Sequence, residues 1–387
     1  MTAERRYAAA MSEHPVAAQA VGEIAGQVLE TLGGERADLM LVFVSPHFAG
    51  TTEEVVGVLR AVLAPRALIG ATHTAVVGGG REVEDGPAIA VWAGAGPGLA
   101  GRVVALDVIP GEQGGADLVG WPDLAAGDGD PATLLLLSDP FTFPVDGVVR
   151  VLEAARPELR IVGGMASAAA GPGGNRLVAD DRVLDRGAVG VLLGADAGVE
   201  TVVAQGCRPV GQPFVVTAVD GNHVVTLGGR PALERLQELA ATLSDEEQEQ
   251  LLRGLHVGLV VDERLAEFGP GDFLVRNVLG AREADGAIAV GARVEVGQTL
   301  QFQIRDAGAA DTDLRRALAG RTAAGSLLFT CTGRGRRLFG RPDHDAGAVR
   351  DAFGDIPVAG GFCAGELGPV GGHNHVHGFT ASVALFH

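Results

Sequence analysis

The chain has 387 residues and a formal net charge of −18, a balance that repels nucleic acid and anionic membranes instead of releasing counterions from them. Hydrophobic residues make up 47% and aromatics only 4%, so the interior is built from Val, Leu, Ile and Ala, in enough length for two or three cores. The opening MTAERRYAAAMSEHPVAAQ lacks the apolar stretch of a signal peptide, residues 88–101 are too broken by Gly and Pro to span a membrane, and three scattered cysteines form no CxxC pairing; the expectation is a cytoplasmic chain with reduced thiols and no disulfide or zinc scaffold.

Residues 12–32 carry Val16, Val21, Ile24, Ala25, Val28, Leu29 and Leu32 near the helical period and end at Gly33-Gly34, which predicts an amphipathic helix lying on a sheet. DLMLVFVS (38–45) is a continuous β-rich run, the pattern of a strand buried on both faces. Residues 51–63 predict a helix with a capping box Thr51-x-x-Glu54, a stripe of Val55, Val58, Leu59 and Val62, and Pro65 as its stop. A short strand to Gly70, a Gly run at 78–80 and a strand over 88–93 follow.

This order returns twice. ATLLLLSDP (132–140), the helix 145–155, RIVGG (160–164), the Gly run 171–174 and GAVGVLLG (187–194) repeat it, and so do SLLFTCTG (326–333), the helix 345–353, PVAGG (357–361), Gly371-Gly372 and HGFTASVALF (377–386). The reading is an α/β fold of internally repeated strand-helix-strand units, with mixed sheets covered by helices in two domains. Gly70, Gly163 and Gly360 then end equivalent strands and open equivalent loops, where α/β sheets bind ligands.

Different material lies between the second and third copies. Residues 201–229 alternate apolar and polar residues around Asp220-Gly221, a hairpin signal. Two helices follow over 231–243 and 244–255, the second opened by a capping box Ser244-x-x-Glu247. FLVRNVLG, GAIAVGARV and QTLQFQIRD predict an antiparallel meander over 273–306. The domains are therefore 1–230, with copies at 38–94 and 132–194, and 231–387, with the meander and the copy at 326–386.

Polar chemistry is densest in VAGGFCAGELGPVGGHNHVHGFTASVALF (358–386). His373, His375 and His377 alternate, which on a strand puts them on one face; no further ligand at motif spacing makes this a metal site, and no cofactor is expected. Glu366, between glycines, has two readings: a buried carboxylate for a ligand amino group, or a cap on backbone amides. Cys363 follows a buried strand with His377 close in sequence, so it is either a core thiol or a nucleophile. Arg334, in the Gly-flanked loop TGRGRRLFG, is placed to grip a ligand carboxylate or to be a solvated basic residue. Arg276-Asn277 is a polar pair inside an apolar strand and could wall the same pocket. No GxxxxGK[ST], GxSxG or HExxH pattern occurs, so the chain carries no recognisable nucleotide-binding or hydrolase motif.

DLMLVFVSP, LIGATHTAVVGGGREVEDGPAIAVWA and QGCRPVGQPFVVT resemble the N-terminal half of FIST-domain proteins, and FLVRNVLG, GAIAVGARVEVGQTLQFQIRDA, FTCTGRGRRLFG and GFCAGELGPVGGHNHVHGFTASVALF resemble the C-terminal half, over about 38–386. The resemblance implies an intracellular sensory module for a small ligand, an amino acid among the candidates, acting in signal transduction. No kinase, cyclase, methyl-accepting or F-box segment is present, so a signalling output requires a separate partner protein. The family pattern falls on Gly333-Arg334-Gly335, Gly365-Glu366, Gly368-Pro369, Asn374 and His377 to Thr380. The expected ligand-binding set is Arg334, Glu366, His377, Asn374, Cys363, Arg276 and Asn277. The competing functions are an enzyme using Cys363 or His377 on a small metabolite, and a protein-interaction scaffold.

Overall fold

The apolar runs become the centres of three sheets in the computed structural model, which describes residues 4–111, 115–123, 131–265, 267–269 and 271–387. Leu39–Val44, Thr133–Ser138 and Gly325–Cys331 are buried at every position, as strands covered on both faces require. Each pairs in parallel with the strand beyond its crossover helix: Ala67–Thr72, Arg160–Met165 and Val358–Cys363. On its other side lies an antiparallel strand, Ile89–Ala95, Ala188–Leu193 or Ala381–Phe386. An outer strand follows in each sheet, Arg6–Ser12, Arg102–Pro110 or Val199–Ala204.

The remaining edge of each sheet is filled by a hairpin that belongs, in chain order, to a different sheet. Leu177–Ala179 and Arg182–Leu184 dock on Ala67–Thr72 of the first sheet. Glu366–Val370 and His373–His377 dock on Arg160–Met165 of the second. Val76–Gly78 and Arg81–Val83 dock on Val358–Cys363 of the third, closing a cycle of three exchanges.

The inner faces of the three sheets share one core that includes Leu41, Phe43, Leu135, Leu137, Leu327 and Phe329. Helices Ala17–Thr31 and Thr52–Leu63 cover the first sheet, Val145–Ala155 the second, and Ala307–Leu318 with His344–Phe353 the third. Mixed sheets and eight α-helices are thus present among the described residues, but strand exceeds helix, so the chain is more strand-rich than a plain α/β reading anticipates. No helix among the described residues is long and apolar enough to cross a membrane.

The expected meander is part of a larger object. Phe214–Asp220, His223–Leu227, Ala287–Val290, Phe273–Arg282, Leu255–Val260 and Thr299–Arg305 form an antiparallel barrel, closed because Thr299–Arg305 pairs with both Leu255–Val260 and Phe214–Asp220. Its strands come from both sides of residue 230. The capping box of Ser244 and Glu247 forms as expected. That of Thr51 does not: a 3-10 turn, Pro46–Thr51, leads into the helix, and the hydroxyls of Thr51 and Thr52 donate to Phe48 O at 3.3 and 3.1 Å.

The parallel pairs depend on glycine. Gly70, Gly163 and Gly360 lie opposite Val42, Leu136 and Leu328, and a Cβ at each would stand 2.4, 2.0 and 1.8 Å from the facing carbonyl oxygen. We expect Gly360→Ala to cost about 3 kcal/mol through this overlap. Gly347→Ala, in the helix His344–Phe353 with nothing within 4 Å of the new Cβ, should instead stabilise by about 0.5–1 kcal/mol. Thermal denaturation of the two variants checks this, and equal melting temperatures would refute it.

Candidate functional site

Arg334 follows the carboxyl end of the central strand of the third sheet and is fully enclosed. Its Nε and Nη2 donate to Asp345 Oδ2 and Oδ1 at 2.6 and 2.8 Å, a bidentate pair, and Nη1 reaches Phe379 O at 3.5 Å. Thr330 Oγ1 donates to Asp345 Oδ2 at 2.5 Å, and His344 bridges Asp345 and Asp311 with its two ring nitrogens at 2.8 and 2.9 Å. Burial alone would raise the Asp345 pKa; the Arg334 charge and these hydrogen bonds outweigh it and hold the carboxyl well below its ordinary range. The helix carrying Asp345 is capped from another part of the chain: Glu82 Oε1 accepts the amides of Asp345 and Ala346, both at 2.9 Å.

Glu366 is also enclosed. Its Oε2 accepts from Thr380 N at 3.2 Å and Thr380 Oγ1 at 2.7 Å, while Oε1 accepts no hydrogen bond among the described residues. Desolvation pushes its pKa up to about 8, against the Thr380 hydrogen bonds and the Arg334 charge, so the group is a neutral acid at pH 7. Cys331 and Cys363 are register partners across the parallel pair beside it. Burial pushes the Cys331 thiol up to about 12 and Cys363 well above its usual value, the opposite of a prepared nucleophile. The Cys363 sulfur lies 3.9 Å from His73 Nδ1, and that nitrogen donates to Phe362 O at 3.0 Å.

The other predicted residues gather elsewhere. Between the barrel, the helix Val145–Ala155 and the hairpin strand His373–His377 lies a cleft of about 570 Å³, within the range of small-molecule sites. Asp146, Arg150, Glu153, Arg276, Arg293 and His375 are in its polar lining, with Gln298, His373 and Asn374. A second cavity of about 210 Å³ shares Asp146, Arg276, Gly291 and Val376 with it and extends the lining to Asn277, Gly365 and His377.

Arg276 stands at the junction of the two. Its Nη1 donates to Val376 O at 2.7 Å and Val275 O at 3.0 Å, and no carboxylate pairs with it among the described residues. Burial lowers its pKa, only partly offset by the charge of Asp146. Asn374 borders the cleft but spends its amide on the second sheet, accepting from Ile161 N at 2.8 Å and donating to Leu159 O at 2.7 Å. His377 Nε2 donates to Gly368 O at 2.9 Å, and burial lowers its pKa to about 3, which keeps it neutral. His373 pairs with Glu153 at 2.5 Å.

The structure thus brings Arg276, Asn277, Asn374 and His377 to the cleft and its annex, and sets Arg334, Glu366 and Cys363 in the interior, lining neither cavity. Asp146, Arg150 and Arg293 were not singled out by sequence. Asp146 and Arg150 sit one turn apart on a helix whose polar positions look like any solvated face, and Arg293 follows a short barrel strand.

Three hairpin-exchanging sheets, a closed barrel and a charged cleft define an α/β protein with a ligand-sized cleft walled by both halves of the chain. Residues 38–230 match the FIST N domain and residues 232–369 the FIST C domain, and the chain belongs to the FIST family. It is 44% identical over 389 residues to the uncharacterized protein Rv0628c of Mycobacterium tuberculosis (strain ATCC 25618 / H37Rv), covering 98% of this chain and 99% of that one. It is 45% identical over 380 residues to the uncharacterized protein Mb0898c of Mycobacterium bovis (strain ATCC BAA-935 / AF2122/97), covering 96% of each.

The Glu366 environment has a measurable signature. Its folded pKa lies above the 4.5 of an ordinary glutamate, so its stabilising contribution is complete below about pH 4.5 and is lost as pH rises to about 8. Glu82, pushed up to about 7 by burial and Asp345, acts in the same sense, so the test is a difference between variants. Urea denaturation across this window should show stability declining with pH in the parent and a shallower decline in Glu366→Gln, an isostere of the neutral acid. Identical slopes would mean that Glu366 is ionised in the folded protein.

Proposed function

We propose that this protein is a small-ligand-binding sensory module whose ligand occupies the cleft between the barrel and the second sheet. The observation that carries this reading is Arg276, a half-buried guanidinium that opens on a cavity of ligand size and has only carbonyl oxygens for partners among the described residues. A partly desolvated charge with no ion-pair partner carries a cost that a ligand carboxylate relieves. Asp146 alongside offers an anion for a ligand ammonium, so an amino acid suits the site in size and in charge order. Membership of the FIST family supports a sensory role, and in this reading the signal passes to a separate partner protein in the cytoplasm.

In this reading Arg276, Asn277, His377 and the strand of Asn374 make the contact wall, with Arg293 beyond the neighbouring barrel strand and Arg150 on the helix Val145–Ala155. Arg334, Glu366 and Cys363 form the rigid backing to Gly365 and His377. The chain divides into an N-terminal unit, 1–230, and a C-terminal unit, 231–387. The common strand order of the three sheets reflects one strand-helix-strand unit used three times.

Thermal-shift measurements against amino acids and related metabolites test the function. A ligand present at a hundred times its dissociation constant should stabilise the fold by about 2.7 kcal/mol. Arg276→Gln should weaken binding by more than tenfold, as loss of a charged hydrogen-bond donor does. No shift with any compound at millimolar concentration, or full binding by Arg276→Gln, would count against the cleft.

A further inference from the structure

The cleft holds more positive charge than one carboxylate uses. Three guanidiniums line it, Arg150, Arg276 and Arg293, against the carboxylates of Asp146 and Glu153. Glu153 is already occupied, accepting from His373 Nδ1 at 2.5 Å and from Asn374 N at 3.0 Å. Asp146 and Arg150, four residues apart on one helix, are spaced to pair but form no ion pair. Arg150 and Arg293 have no hydrogen bond or ion pair among the described residues. On a chain with a net charge of −18, this is a local inversion of sign.

The three cations come from two walls, Arg276 and Arg293 from paired barrel strands or just beyond them and Arg150 from the helix facing them. Arg150 projects from the helix Val145–Ala155, Arg293 follows the barrel strand Ala287–Val290, and Arg276 lies at the junction with the smaller cavity. Arg150 and Arg293 are exposed while Arg276 is half-buried. The amino-terminal turn of the helix, where a phosphate would gain most from backbone amides, carries the negative Asp146. That arrangement favours separated anionic groups over one compact dianion.

We infer that the ligand carries two acid groups a few bonds apart, one held by Arg276 and the other near the mouth by Arg150 and Arg293: a small dicarboxylate. This rests on the cleft being the ligand site and adds the class of ligand.

The test is calorimetric titration of the full chain with straight-chain dicarboxylates from succinate to pimelate, and with monocarboxylates of equal length. The best dicarboxylate should bind at least tenfold more tightly than its monocarboxylate counterpart, with an optimum chain length. In the double variant Arg150→Gln/Arg293→Gln, both surface positions, that ratio should fall toward one, while Arg276→Gln loses both compound classes. Equal binding of mono- and dicarboxylates by the parent overturns the two-acid ligand but leaves the cleft as the binding site. Binding of a phosphate monoester in preference to every dicarboxylate overturns the separated arrangement. No binding of any acid, with an intact melting transition, overturns both this inference and the cleft reading.

Discussion

A guanidinium taken wholly out of water has to be met by a carboxylate, and Arg334 is met by both oxygens of Asp345. Much of the third sheet is arranged around that pair. Thr330 on the central strand donates to it, His344 carries it to Asp311 on a covering helix, and the helix bearing Asp345 is capped by Glu82 from the hairpin Val76–Gly78 and Arg81–Val83. One ion pair therefore ties together a strand, two helices and an exchanged hairpin. Arg276 is the counter-example in the same molecule, a half-buried guanidinium with only carbonyl partners among the described residues and facing a cavity. The two arginines are thus placed differently, one enclosed and met from within the fold, the other half-buried on a cavity wall.

Glu366 and the cysteines show why an enclosed polar cluster is not by itself a reactive one. Burial that would make an unpaired carboxylate or thiolate expensive is answered by keeping the proton, so Glu366, Cys331 and Cys363 are neutral behind Gly365. Phe379, beside them, has φ of +62°, a conformation that costs a bulky residue of order 1–3 kcal/mol. Its ring is covered by the Arg305 guanidinium at 3.5 Å and by the edge of His256 at 4.5 Å. The barrel thereby helps to hold the backbone turn that precedes Thr380, the residue on which Glu366 rests.

Much of the secondary structure was legible because the signals were local. LMLVFV and LLLL are too apolar and too short for anything but covered strands, and the helix Val145–Ala155 appears at the predicted residues. What could not be seen is pairing between distant segments. RYAAAMS is rich in Ala and carries no β-branched residue, so its strand, Arg6–Ser12, is imposed by Ile89–Ala95 beside it. Barrel closure and the hairpin exchanges are likewise properties of partners far along the chain. The site divides in the same way. Arg276, Asn277 and His377 are conspicuous as polar residues in apolar strands and do line the cavities, whereas nothing near Arg334 announces Asp345 as its counter-ion, and Arg150 looks like any surface arginine.

The cyclic hairpin exchange bears on how the protein is made. The first sheet lacks an edge until Leu177–Ala179 has been synthesised, the second until Glu366–Val370, and the hairpin Val76–Gly78 and Arg81–Val83 has no seat until Val358–Cys363 emerges near the end of the chain. Contacts so distant in sequence carry a loop-closure cost before they return any stability, which makes such pairing intrinsically slow to form. A nascent chain therefore carries open strand edges for most of its synthesis, a hazard for aggregation. The finished molecule gains the reverse property: each sheet edge filled by an exchanged hairpin is locked by a segment from elsewhere, so no one sheet can be peeled away without opening its neighbour.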